Sequence, residues 1–288
     1  MSTIDNNNQI ARNITSYLDI VFGNASTDSH VRCYRGQADI AWDVKPSVMR
    51  QMKDNAENKI FSELMVEAPN EFSSDKSMFD KLVRAQHYGL PTRLLDVSLN
   101  PLVALFFACS DENHHDKDGT VITFDFHEKR VKFADSDAIS LVCNLARLDD
   151  KERREITSKY REFDDRGEAE KQEIRDMPAM KRLCQFVRVE KSYFLDAAEP
   201  TDLFRYFFVY PSKNNRRVIA QSGAFVAAGL LKYRSIESSE FMGITKIRIP
   251  ASSKNKILKQ LDTLNINSRS MFPEVESASG YIKKKWSV

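Results

Sequence analysis

Apolar residues recur three and four positions apart in "QIARNITSYLDIVF", where Ile10, Ile14, Leu18, Val21 and Phe22 share one helical face. "HVRCYRGQ" follows, with Val31, Cys33 and Arg35 alternating as in a strand and Gly36 read as its end. "PSVMRQMKDNAENKIFSELMVEAP" predicts a helix that stops before Pro69. "SMFDKLVRAQHYG" predicts another, closed by Gly89. After the short apolar run "TRLLDVS", the segment "NPLVALFFACS" has the start signals of a helix, Asn100 as N-cap and Pro101 at the first helical position. "GTVITFDF" has strand composition. From residue 203 onward "LFRYFFVYP", "RRVIAQSGAFVAAG" and "GITKIRIP" read as strands. A serine-capped helix, "SSKNKILKQLDTLNI", comes next, and then a compact aromatic tail.

Residues 137–186 differ. They mix both charge signs densely and predict a helical insertion, with solvated helices from 149 to 176 because no apolar stripe there looks wide enough to bury. Irregular short strands argue against a doubly wound parallel sheet. The expected fold is α+β: a mostly antiparallel central sheet, surrounding helices and the charged insertion. The expected organisation is an N-terminal helix over 1–29, a main domain over 30–285 interrupted at about 137–186, and a tail at 286–288.

Composition narrows the function. Hydrophobic residues make up 42% of 288, enough for a sizeable core. A net charge of +2 gives no global electrostatic case for nucleic acid or a membrane surface. Cys33, Cys109, Cys143 and Cys184 form no CxxC pair, so neither a zinc site nor a disulfide framework is expected. The polar start "MSTIDNNNQIARNITSYL" lacks a signal-peptide core, and no apolar run approaches the roughly 20 residues that span a bilayer. A cytoplasmic protein is expected. "DENHHDKDG" lacks ligand spacing, so no metal is expected there. No Gly-rich phosphate loop or nucleophile elbow occurs.

Three stretches carry candidate chemistry. In "YRGQ", Arg35 near a strand end can hold a phosphate or carboxylate through paired bonds, or bridge to a carboxylate such as Asp96; Gly36 permits a turn or close ligand approach. "AQHYGLPTRLLDVSLNPLVALFFAC" sets His87, Arg93 and Asp96 among apolar residues, which suggests a pocket or an Arg93–Asp96 pair fastening the turn. Asp96 and Ser98, two apart, would share a face. In "QSGAF", Gln221 can contact a ligand from a strand or fill a bulge beside Gly223.

Taken with "CYRGQADIAWDVKPSVMR", "RRVIAQSGAF" and "LNINSRSMFPEVESASGYI", the long central block resembles the FRG domain, named for a Phe/Tyr-Arg-Gly motif matched here by Tyr34, Arg35 and Gly36. The similarity runs from about residue 30 to about 285, interrupted by the charged segment. That family is widespread in bacteria and phages, which implies a role in conflict or antiviral defence, as a toxin-like effector or a recognition module of a toxin–antitoxin system. A more distant resemblance is to ADP-ribosyltransferases. Arg35 matches their first-strand basic residue and Ser98 their serine motif, but Gln221 stands where their third strand carries Glu. The resemblance implies NAD as substrate, with Tyr34, Arg35, Gly36, Gln37, His87, Arg93 and Ser98 binding it. Arg35, Asp96, Gln221 and Glu274 would form the catalytic set, with Glu276 as an alternative carboxylate. Cleaving the nicotinamide–ribose bond builds oxocarbenium character, which needs a negative group beside it that a neutral Gln cannot supply. The other implied reading is a non-enzymatic nucleotide-recognition module that docks a protein partner through residues 149–176.

Overall fold

The computed structural model describes residues 9–24, 29–50, 52–163, 167–213, 215–231, 236–239 and 241–273. Among the described residues, eight strands form one sheet. They are β1 (Gln9–Ile10), β2 (His30–Gln37), β3 (Leu94–Ser98), β4 (Gly119–His127), β5 (Val131–Phe133), β6 (Tyr206–Tyr210), β7 (Gly223–Ala228) and β8 (Met242–Ile249). Their order is β1-β8-β4-β2-β3-β7-β6-β5. The pairs β1–β8 and β5–β6 are parallel and the rest antiparallel, so the fold is α+β around a mixed, mostly antiparallel sheet.

The sheet is well zipped on either side of one weak seam. β2 pairs with β4 over eight positions, from His30↔His127 to Gln37↔Thr120. β3 pairs with β7 over five. Between β2 and β3 the register has one pair, Tyr34↔Ser98. The two halves therefore splay apart on either side of that contact.

Helices cover one face of both halves. On the β2 half lie α1 (Ile14–Gly23), α4 (Pro101–Cys109) and α10 (Lys254–Thr263), sharing a core that includes Tyr17, Leu105, Ile257 and Leu261. On the β3–β7 half lie α3 (Met78–His87) and α5 (Asp137–Asn144), packed on Leu94, Phe207 and Phe225. The opposite face buries Cys33, Leu95, Ile122 and Phe124 beneath Val44 and Ile236.

Local signals set several boundaries. The side chain of Asn100 accepts from Leu102 N at 2.9 Å, and Pro101 opens α4. Gly89 takes φ +82° beyond α3; its N–H bonds to Gln86 O at 2.9 Å, and Leu90 N bonds to Ala85 O at 3.0 Å. That double bond is the Schellman closure, which needs the left-handed residue glycine tolerates.

Other expectations change. The long helix predicted before Pro69 is two pieces, a 3-10 turn at Ser47–Met49 and α2 (Ala56–Glu67), separated at Asn55, which has φ 59°. β2 continues through Gly36 to Gln37. "RRVIA" is not strand but a short helix, α9 (Arg216–Ala220), because Asn215 caps it by accepting from Arg217 N at 2.8 Å. A five-residue apolar run fits either period, and the cap decides.

The charged segment departs furthest from expectation. Helices α6 (Asp150–Glu162), α7 (Glu168–Asp176) and α8 (Pro178–Glu190) gather a core of their own with α5. Ile156 and Ile174, the central apolar residues of α6 and α7, are 0% exposed. One isoleucine per helix is enough to anchor an otherwise charged helix, each worth about 1.5–3 kcal/mol of burial.

Candidate functional site

Pair partners in a sheet share a face, so Tyr34, Ser98 and Gly223 line up across β2, β3 and β7, with Asp96 opposite Phe225 two residues along. Above this floor, α4 stands on one side and α3 on the other. Between them is a cleft of about 350 Å³, closed at the β7 end by α9.

Gly36 fixes how close the α4 wall comes. A Cβ at Gly36 would lie 1.9 Å from Ala104 O and 2.6 Å from Ala108 N. A Cβ at Gly119, on the next strand, would lie 2.4 Å from Ala108 O. The "YRG" glycine thus serves helix-to-strand packing rather than close approach of a ligand, and it brings Phe107 of α4 over the cleft.

Arg35 leaves β2 on the other face, that of its pair partner Ile122, and turns into the seam. Its Nη1 donates to the main-chain carbonyl of Asp96 at 2.7 Å. Its Nε is shielded from solvent with no hydrogen-bond partner among the described residues. Burial presses the guanidinium pKa below its ordinary value; Asp96 opposes that and Arg50 adds to it. The group nonetheless stays charged. Arg35 is tied to the backbone of Asp96, not to its carboxylate.

The Asp96 side chain is exposed on the cleft floor and accepts from Gln86 Nε2, on the last turn of α3. Gln86 Oε1 in turn accepts from Thr92 Oγ1 at 2.7 Å. His87 ends α3, lines the cleft and lies edge-on to Tyr88 at 5.5 Å.

At the β7 end, Arg217 faces the cleft with its guanidinium 4.7 Å from the Phe272 ring centre. Phe272 packs on Phe107 at 6.0 Å. No carboxylate pairs with Arg217 among the described residues. Beyond the end of β2, Trp42 is 39% exposed, lines the cleft and stands edge-on to His114 at 4.8 Å. His114 Nδ1 is 3.0 Å from Asp111 Oδ2, so that member of "DENHHDKDG" belongs to a local pair.

Of the residues singled out by sequence, Tyr34, Arg35, Gly36, His87, Asp96, Ser98 and Gln221 come together around this cleft. Two of them are engaged locally. Ser98 Oγ donates to Gln221 O at 2.7 Å and accepts from Asn100 N at 3.0 Å. Gln221, the C-cap of α9 rather than a strand residue, donates through Nε2 to Met271 O at 3.0 Å.

Two others lie elsewhere. Arg93 is 2% exposed and faces away from the cleft. Its Nε and Nη2 grip Glu57 at 2.7 and 2.6 Å, and Nη1 donates to Ala228 O at 2.9 Å. Neither the expected Arg93–Asp96 pair nor a ligand role for Arg93 fits that geometry. Gln37 is 3% exposed and reaches Asp43 O at 3.5 Å from the far side of β2. Glu274 and Glu276 lie outside the described residues. The four cysteines are free and buried, and burial pushes the Cys109 thiol up to about 12, which removes it as a nucleophile near neutral pH.

Gln86, Trp42 and Arg217 were missed in the sequence. Gln86 adjoins His87 in a helix end already marked as interesting. Trp42 is an aromatic in the polar loop "ADIAWD", and Arg217 follows Arg216 just ahead of an apolar run. Each is a residue whose type is unusual for its setting, a weak signal without the fold.

Among the described residues no helix is long and apolar enough to cross a membrane. No curated protein and no solved structure matches the chain. Residues 31–117, which run from β2 through α3, β3 and α4 and so supply much of the floor and both long walls of the cleft, match the FRG domain model.

Proposed function

We propose that the cleft is a nucleotide-binding site of the NAD class. The observation that carries this reading is the convergence of groups from distant parts of the chain. Arg217 offers a cation at one end, Asp96 a carboxylate on the floor, and Phe107, Phe225 and Trp42 apolar surface. A diphosphate matches the guanidinium, a ribose hydroxyl matches the carboxylate, and a base matches an aromatic surface. The volume, about 350 Å³, accommodates one such ligand in part-exposed form.

Recognition is favoured over turnover by the way the polar groups are engaged. Ser98 and Gln221 commit their hydrogen bonds to architecture. Cleavage of the glycosidic bond would then rest on Asp96 as the negative group beside the ribose. A nucleotide sensor or effector in bacterial or phage conflict is the biological setting that this reading and the family resemblance support.

Calorimetric titration with NAD and ADP-ribose tests it, with NAD depletion followed in the same samples. Arg217→Ala should weaken binding about tenfold to a hundredfold, the loss of roughly 1.5–3 kcal/mol for one charge-assisted contact, with an unchanged melt. Absence of binding by both nucleotides sinks the reading.

A further inference from the structure

Lys254 opens α10 and is 0% exposed. Its Nζ donates to Ala38 O at 2.7 Å and to His114 O at 2.7 Å. Ala38 begins the loop that leaves β2 and carries Trp42, and His114 lies in the turn that follows α4. One ammonium thus ties two segments far apart in the chain. Burying it is costly, and a methionine of similar length would fill the same space without that cost. What the ammonium adds is direction, because two carbonyls must come to one point. Burial presses the Lys254 pKa down, while Cys109, Asp111, Asp118 and Asp39 act in the opposite sense.

These two loops form the outer end of the cleft, where Ala38, Trp42, Ser110 and Asp111 line it. Trp42 meets His114 edge-on at 4.8 Å, and His114 is held in turn by Asp111 at 3.0 Å. Ile40 N donates to Asp118 O at 2.8 Å, and Trp42 N to Asp39 O at 3.2 Å. Asp118 also accepts from Ala251 N, just ahead of Lys254, at 2.8 Å. We infer that Lys254 is a positioning residue of the cleft: by clamping the loops of Trp42 and His114 together, it sets the Trp42 ring as an end wall against which the flat ring of a ligand packs. The inference rests on the nucleotide-binding reading for its ligand, but the placing of Trp42 can be measured without one.

The chain has two tryptophans, Trp42 and Trp286, so Trp286→Phe leaves Trp42 as the reporter of the cleft end. The whole protein is then followed by acrylamide quenching of Trp42 emission, by thermal melt and by calorimetric titration with NAD. Trp42→Ala should weaken NAD about tenfold, the scale of one base stacked on an aromatic ring. Lys254→Met should open Trp42 to acrylamide and weaken NAD by a similar factor. Added to Trp42→Ala, it should cost little further affinity, since both changes act through one ring. A merely structural role for Lys254 would lower the melt with Trp42 quenching unchanged, or would add its loss to that of Trp42→Ala; either result overturns the inference. Where Lys254→Met does not fold, Lys254→Gln, which keeps a donor on a shorter stem, is read by the same measurements. Failure of both to fold makes Lys254 a core residue only and overturns the inference as well. If wild-type protein does not bind NAD, the ligand half of the inference falls with the binding reading, and Trp42 quenching alone decides whether Lys254 positions the ring.

Discussion

Arg35 and Arg93 show how much a side chain's partners decide. Arg35 lies on β2 and Arg93 just ahead of β3, and both are close to Asp96 in space or sequence. Arg35 commits one nitrogen to a main-chain carbonyl. Arg93 is saturated by Glu57 and Ala228, and Glu57 also accepts from Arg153, which in turn grips Asp150 at 2.7 Å. A buried network of this kind is sensitive to the loss of one member, because the remaining charges stay behind without compensation. Arg93→Ala should cost about 3–5 kcal/mol of stability, a large share of a domain's total. It should lower the melting temperature while leaving the affinity of the residual folded protein for NAD unchanged. A normal melt would show that the network contributes nothing. The sequence could mark Arg93 as a buried charge in need of a partner, but 36 residues separate it from Glu57, and nothing local points from one to the other.

At the scale of elements, the contact between α4 and the sheet governs the shape of the cleft. Ala104 and Ala108 lie directly over Gly36 and Gly119, with no room for a methyl group at either glycine. Gly36→Ala must push α4 off β2, because the clashing atoms are helix backbone and cannot rotate away. Overpacking of this kind costs about 1–3 kcal/mol or more. Phe107 rides on the same helix, so nucleotide affinity should fall along with the melt. An unshifted melt would mean that α4 sits less tightly than the geometry requires. The caps of α4 and the closure of α3 were legible because capping is local chemistry. The meeting of α4 with Gly36 was not, because a glycine in a strand reads equally well as a turn, a bulge or a contact.

For the molecule as a whole, the charged helices are part of the fold's support. Ile156 and Ile174 are buried in the core that α6, α7 and α8 share with α5, and α5 itself packs against the sheet. Arg153 of α6 completes the network around Glu57 on α2. Replacing residues 150–176 by a short linker should therefore abolish the cooperative melt rather than leave a trimmed domain. The loss combines two buried isoleucines, at about 1.5–3 kcal/mol each, with the buried bond that Arg153 donates to Glu57. That approaches the 5–15 kcal/mol that holds a typical domain together. A shortened protein that melts cooperatively near the wild-type temperature would show the segment to be an appendage. The docking role suggested by its charge also loses force, because Arg153 and Asp150 point inward.

By itself, the sequence determined the α+β class, the mostly antiparallel sheet, the start of α4, the end of α3 and the placing of Tyr34, Arg35, His87, Asp96 and Ser98 in two blocks that resemble the FRG domain. All of these rest on periodicity, capping or contiguous motif, which act over a few residues. Tertiary structure decided the rest. It assigned Arg93 to Glu57 instead of Asp96, converted "RRVIA" from strand to helix, and gave the glycine of "YRG" to α4. It also brought Gln86, Trp42 and Arg217 to the cleft. The physical reason is common to these cases. Which charge pairs with which, and which surface a residue faces, depends on strand order and helix packing between segments far apart in the chain, and side-chain chemistry alone is compatible with several such partners. The seam between β2 and β3 is the plainest example: a single ladder pair, Tyr34↔Ser98, opens the space for the site, and no local pattern in either strand foretells it.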